Sequence, residues 1–211
     1  HGDGHIDANS LSHFISSYQE ESVLTLGELW AIPIMLRLAL IENLRRVSVR
    51  LALSRTHHEL AEVWVQKFID TAENDPGNLI LQVARSNPPM VSAFVAELTR
   101  RLQSQKAILA LPLTWISQRL SETGMTIEQL VMLETQRQAA DQVSISNSIG
   151  SIRLLSATDC HEFVESLSEV EQILRTDPAQ VYSKMDFTSR DHYRHEIEKI
   201  AKKSPCTEVE V

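Results

Sequence analysis

The chain has 211 residues, 43% of them apolar, a formal net charge of −8, six glycines, seven prolines and two cysteines. A chain this long buries a sizeable core, its apolar share excludes wholesale disorder, and its acidic balance excludes a dedicated nucleic-acid binder, which needs a basic footprint. Scarce Gly, Pro and aromatics, beside abundant Leu, Ala, Glu, Gln, Arg and Ser, favour helices over a sandwich or barrel.

Residues 1–8 read as a frayed end. His1, Asp3, His5 and Asp7 alternate there, but an unfixed terminus supplies no geometry for a metal. Thr25 and Glu28 form a capping box that opens a densely apolar helix. Glu28, Arg37, Glu42, Asn43, Arg45 and Arg46 punctuate that helix, so it reads as buried with polar groups satisfied inside, and Pro33 predicts a kink or a late start. Its most apolar run, Leu29 to Ile41, is too short for a membrane span and carries Arg37. A second box, Thr56 and Glu59, opens or restarts a helix that Asp75-Pro76-Gly77 ends.

Asn87-Pro88-Pro89 divides a short helix around Leu79–Ala84 from one through Val91–Leu102, and Gly124 ends the helix that carries Trp115, Ile116 and Leu120. Thr126 and Gln129 cap the next helix. Within it Val143–Ile149 alternates like a strand, but Ala139, Ala140, Ile149, Ile152 and Leu155 continue a helical stripe, so the run reads as mid-helix. Ser168 with Glu171, Asp177-Pro178, and Thr188 with Asp191 are three further helix starts. Ser204-Pro205 closes the last helix, and residues 205–211 read as frayed. The expectation is an all-α fold: a single irregular bundle of about nine helices with short connections, no sheet, and one domain over residues 1–211. With no initiator methionine and no signal peptide, the chain reads as a fragment of a larger protein. Cys160 and Cys206 make no disulfide framework, which fits a reducing compartment.

The motifs of familiar chemistry are absent. No HExxH, CxxC, GxGxxG, Walker or GxSxG pattern occurs, and no two aspartates stand two positions apart. No catalytic, cofactor or metal residue is therefore assigned. His57-His58 are neighbours at a helix start and face different directions, the His192/His195 pair reads as a solvated helix face, and Cys160-His161 diverge by about 100° around a helix, too far to act as nucleophile and base by themselves. Buried carboxylates remain. Glu28, Glu42, Glu134 and Asp141, with Arg37 and Arg45, read as polar pairs that orient packed helices rather than as an acid/base couple. The run Glu134–Ser148 carries polar groups on every face and several small residues, and Gln138, Gln142, Ser146, Asn147 and Gly150 mark an interaction face.

Three segments carry a resemblance: LTLGELWAIPIMLRLALIENLRRV (Leu24–Val47), DQVSISNSIGSIRL (Asp141–Leu154) and VYSKMDFTSRDHYR (Val181–Arg194), the last preceded by Asp177-Pro178. Their order and spacing resemble the bacterial cyclic β-1,2-glucan synthases. One departure is Cys160, where the family pattern leads one to expect Trp after Ala157-Thr158-Asp159. The resemblance implies a large inner-membrane parent that makes cyclic β-1,2-glucan from UDP-glucose, with this region as a cytosolic, non-catalytic helical segment upstream of the transferase. It implies the rest of the synthase as partner, with no cofactor, no nucleic acid and no direct membrane insertion. Two further readings stay open: a ligand-binding or catalytic helical domain if the carboxylates converge, and a stand-alone module that oligomerises or acts as an adaptor.

Overall fold

The computed structural model of the chain describes residues 3–74, 79–103 and 110–211. Among them are nine α-helices, one 3-10 turn and no strand, so the expected all-α class holds. The helices are α1 (Ala8–Gln19), α2 (Leu26–Asn74), α3 (Leu79–Ser86), α4 (Ser92–Gln103), α5 (Ala110–Ser121), α6 (Ile127–Ala157), α7 (Cys160–Leu167), α8 (Glu169–Arg175) and α9 (Phe187–Ala201), and the 3-10 turn covers Tyr182–Lys184.

The chain divides into two compact units, His1–Leu44 with Ser144–Val211, and Arg45–Val143. No linker in the sequence marks that division, which falls inside α2 and α6. The core of the first unit gathers Ile15, Leu26, Leu29, Val164 and Leu167, with Leu11, Trp30 and Phe163 against them. In the second unit Ala61, Phe68, Phe94, Leu98, Ile116, Leu120 and Leu130 form the core. Full burial of a phenylalanine such as Phe94 contributes roughly 1.5–3 kcal/mol.

Several local signals act as read. The Glu28 carboxylate accepts from the Thr25 amide (2.8 Å) and hydroxyl (2.9 Å) at the start of α2. At the start of α6, Gln129 accepts from the Thr126 amide at 2.9 Å. The Ser168 hydroxyl accepts from the Glu171 amide at the start of α8. Gly124 closes α5 with φ +72°, a left-handed conformation in which glycine carries no side-chain penalty. Val143–Ile149 is helical, inside α6.

Other expectations are corrected. Thr56 and Glu59 open no helix. α2 runs through them, with the Thr56 hydroxyl donating back to the Ala52 carbonyl and Glu59 paired with Arg55. Pro33 does not delay the helix, which begins at Leu26. Asp177-Pro178 makes a turn rather than a helix start: the Asp177 carboxylate accepts from the amides of Ala179, Val181 and Tyr182. α9 is capped at Asp186, ahead of the expected Thr188. The Asp75-Pro76-Gly77 stop lies outside the described residues. Neither described end frays as expected. The Gly4 carbonyl and the Ile6 amide bond the Ser151 hydroxyl (2.8 and 2.7 Å), and Asp7 caps α1. Near the other end, the Glu208 carboxylate takes the otherwise orphaned Leu26 amide of α2 at 2.8 Å.

Candidate functional site

Along α6 the inward positions Glu134, Asp141, Ser148 and Leu155 recur every seven residues, and all four are buried. Three of the four are polar, so each needs a partner. In the second unit, Arg50 pairs with Asp141, its Nε donating at 3.2 Å. Glu134 accepts from the Ser54 hydroxyl (3.1 Å), the Ser92 hydroxyl (2.8 Å) and the Gln138 amide (3.2 Å). In the first unit, the Asn43 amide donates to both Ser144 and Ser148, each at 2.9 Å, and Arg37 donates to the Leu155 carbonyl at 2.6 Å. Within each unit, rising numbers on α2 meet falling numbers on α6, so the two segments run antiparallel.

The expected polar pairs are therefore partly redrawn. Asp141 and Glu134 are buried, Asp141 paired with Arg50 and Glu134 with uncharged donors. Glu28 is exposed and serves as a cap, and Glu42 and Arg45 are exposed on α2, because α2 turns those positions away from its buried face. Arg37 is half-buried. Glu28, Arg37 and Glu42 belong to the first unit, Glu134 and Asp141 to the second. Of these, Glu134 lines a cavity. On the expected interaction face, Gln138, Gln142, Ser146 and Gly150 are exposed, and Asn147 is half-buried with its amide 3.4 Å from the Asp3 carbonyl.

The densest constellation was missed by sequence reasoning. In the first unit, Arg194 has a side chain with 0% exposure and reaches Glu165 (2.8 Å), Glu171 (2.6 Å) and Asp191 (3.2 Å). Arg190 holds Glu165 at 2.9 Å, and Arg175 holds Glu171 at 2.7 Å. The Tyr182 hydroxyl donates to Glu171 at 2.7 Å, and the Arg194 guanidinium lies 5.1 Å from the Phe187 ring centroid. Three guanidinium groups thus face three carboxylates. Burial opposes the ionised form of Glu165, but Arg190 and Arg194 outweigh it and hold its carboxyl below the ordinary range. Burial and the bond to Glu171 push the Tyr182 hydroxyl up. A carboxylate held ionised by arginines is a poor proton acceptor, and a tyrosine with a raised pKa is a poor nucleophile. The arrangement ties α7, α8 and α9 together rather than doing acid/base work. Its only sequence signals were the four-residue spacings Arg190/Arg194 and Glu171/Arg175. Among the described residues, no group of three or more His, Cys, Asp and Glu side chains is placed to hold a metal.

The segments behind the resemblance now have structural roles: the first opens α2 and its antiparallel contact, the second lines that contact from α6, and the third brings Tyr182, Arg190, Asp191 and Arg194 to the buried ion cluster. No protein-family model matches the chain. Over 207 residues, 98% of its length, it is 33% identical to the cyclic beta-(1,2)-glucan synthase NdvB of Rhizobium meliloti (strain 1021). The chain is homologous to a segment of a cyclic β-1,2-glucan synthase. It spans 7% of that relative's length, so the likeness concerns one region of a much larger polypeptide. Cys160 is the first residue of α7, half-buried, with its sulfur 3.9 Å from an Arg37 nitrogen. No helix among the described residues is long and apolar enough to cross a membrane.

Proposed function

We propose that this chain is a non-catalytic helical accessory segment of a glycosyltransferase that makes cyclic β-1,2-glucan from UDP-glucose. It scaffolds the rest of that synthase through helix–helix contacts on the cytoplasmic side of the bacterial inner membrane. The observation that carries this reading is how the residues of the three segments behind the resemblance are employed. Thr25 and Glu28 cap a helix, Asn43 bridges two serines, and Arg190 and Arg194 join a buried ion cluster with Glu165 and Glu171 of the neighbouring helices. Each role positions helices. A face suited to docking adds support. Ile34, Met35, Leu38 and Ile41 lie along one side of α2 in the first unit, each more than half exposed, and such an apolar patch marks a contact surface. Isothermal titration of the chain with UDP-glucose is the test. No binding heat is expected, and a micromolar Kd would overturn the accessory reading.

A further inference from the structure

The outward side of α2 in the first unit carries a seam of the kind that packs against another helix. Ile34, Leu38 and Ile41 recur at steps of four and three residues, and Ala31 precedes them in the same register. Met35 stands beside the seam, and the four large residues are 55–62% exposed. Alternating four- and three-residue steps keep one side of a helix facing a partner helix. The next position in the register, Arg45, is charged and ends the seam. Four such side chains expose a few hundred Å², against about 800 Å² per partner in a stable complex. A second copy seated on this seam alone would hold weakly, and two chains of net charge −8 repel each other. A helix tethered in the same polypeptide needs less area, because its effective concentration is on the order of mM.

The residues after α9 lie beside the start of this seam. Gly27 stands one register step before Ala31, and α9 reaches it: a Cβ on Gly27 would meet a Glu198 carboxylate oxygen at 3.7 Å. Past α9, the Glu208 carboxylate accepts from the Leu26 amide at 2.8 Å. The same turn carries the hydrogen bonds of a helix start. The Thr207 amide and hydroxyl both donate to the Glu210 carboxylate, at 2.8 and 3.0 Å, and the Glu210 amide donates to the Thr207 carbonyl at 3.1 Å. Thr25 and Glu28 make the first two of these bonds, at 2.8 and 2.9 Å, where α2 begins. Glu208 and Glu210 also suit a first helical turn, where the helix dipole favours negative charge.

We propose that Thr207 caps a further helix, which begins at Glu208, continues past Val211 and docks on the α2 seam. This helix presupposes the reading above, that the chain is a segment of a larger polypeptide. The seam ends about 22 Å along α2 from Leu26, so a helix of about 15 residues from Glu208 covers it, with its own apolar residues at three- and four-residue spacing. Photo-crosslinking in the full polypeptide tests this, with benzoylphenylalanine in place of Leu38 and the adducts mapped by mass spectrometry. The expected adducts fall within about 20 residues after Val211, and mixing isotope-labelled with unlabelled copies shows that they join parts of one molecule. Adducts to a second copy, to lipid or to a helix elsewhere in the polypeptide overturn the docked helix, as does the absence of any adduct. Hydrogen exchange of the amides after Val211 gives a second readout. Leu38→Lys, at a position 56% exposed, is expected to speed that exchange roughly tenfold while leaving the amides of residues 144–155 unchanged; exchange unmoved by the substitution overturns the docking. The UDP-glucose titration decides the accessory reading separately: adducts elsewhere, with no UDP-glucose binding, remove the docked helix and leave that reading in place.

Discussion

Replacing Arg194 with methionine removes the centre of the ion cluster while keeping an apolar stem over Phe187. The side chain is fully buried and bonds Glu165, Glu171 and Asp191. Removing one partner of a buried pair costs about 3–5 kcal/mol, because a charge is left without compensation. Arg190 still reaches Glu165 at 2.9 Å and Arg175 still reaches Glu171 at 2.7 Å, which sets the expected loss near the lower limit, about 3 kcal/mol. The loss depends on pH with a definite sign. Glu165 has its folded pKa depressed below the ordinary 4.5. A depressed carboxylate contributes stability that is present above the unfolded pKa and is lost as pH falls through the folded one. The gap between wild type and Arg194→Met is therefore widest at neutral pH and narrows below about pH 4.5, as the carboxylates protonate in both proteins. Urea unfolding followed by circular dichroism at a series of pH values measures this. Adding Glu171→Gln to the variant removes one of the stranded charges and should restore about 1–2 kcal/mol at neutral pH. A loss under about 1 kcal/mol, or one equal at neutral and acid pH, would refute the electrostatic reasoning and leave only a packing role.

Asn43→Ala should cost about 1–3 kcal/mol in urea unfolding, since it strands the hydroxyls of Ser144 and Ser148, which are 4% and 0% exposed; a change within a few tenths would show that water replaces the amide. Gly4→Ala should release the N-terminal arm, because Gly4 has φ +80° and a Cβ there would stand 2.5 Å from the Ser148 hydroxyl oxygen. Hydrogen exchange at the Ile6 amide, bonded to Ser151 at 2.7 Å, reports it, and unchanged protection would count against this account. Gly150 sits in mid-helix, and an added Cβ would meet nothing within 4 Å. Gly150→Ala is thus expected to raise the melting temperature of the isolated chain, by a stability gain of about 0.5–1 kcal/mol, and a decrease would mean that the face is already in contact, as in a self-associating chain.

Signals confined to three or four consecutive residues were largely legible. Thr25/Glu28, Thr126/Gln129, Ser168/Glu171 and Gly124 each bring their own partner within a turn, so sequence neighbours suffice to satisfy the backbone. Thr56/Glu59 shows the limit of that logic. A threonine hydroxyl can cap the next turn or bond back to the preceding one, and here it bonds back to Ala52 inside a 49-residue helix. Asp177 shows the same ambiguity, since its carboxylate serves a turn as readily as a helix start. The buried face of α6 was illegible for a different reason: residues 134–148 carry polar groups all round, so no apolar stripe marks the inward side.

By itself, then, the sequence determined the helical class, most helix limits, and the three segments that relate the chain to a cyclic β-1,2-glucan synthase. All of these depend on local hydrogen bonding, side-chain spacing or residue order. Only the tertiary structure decided which carboxylates are buried and what neutralises them. Asp141 meets Arg50 across 91 residues and Glu165 meets Arg194 across 29. A charged side chain resists burial until a partner from another element offsets its desolvation, and no local pattern specifies that partner.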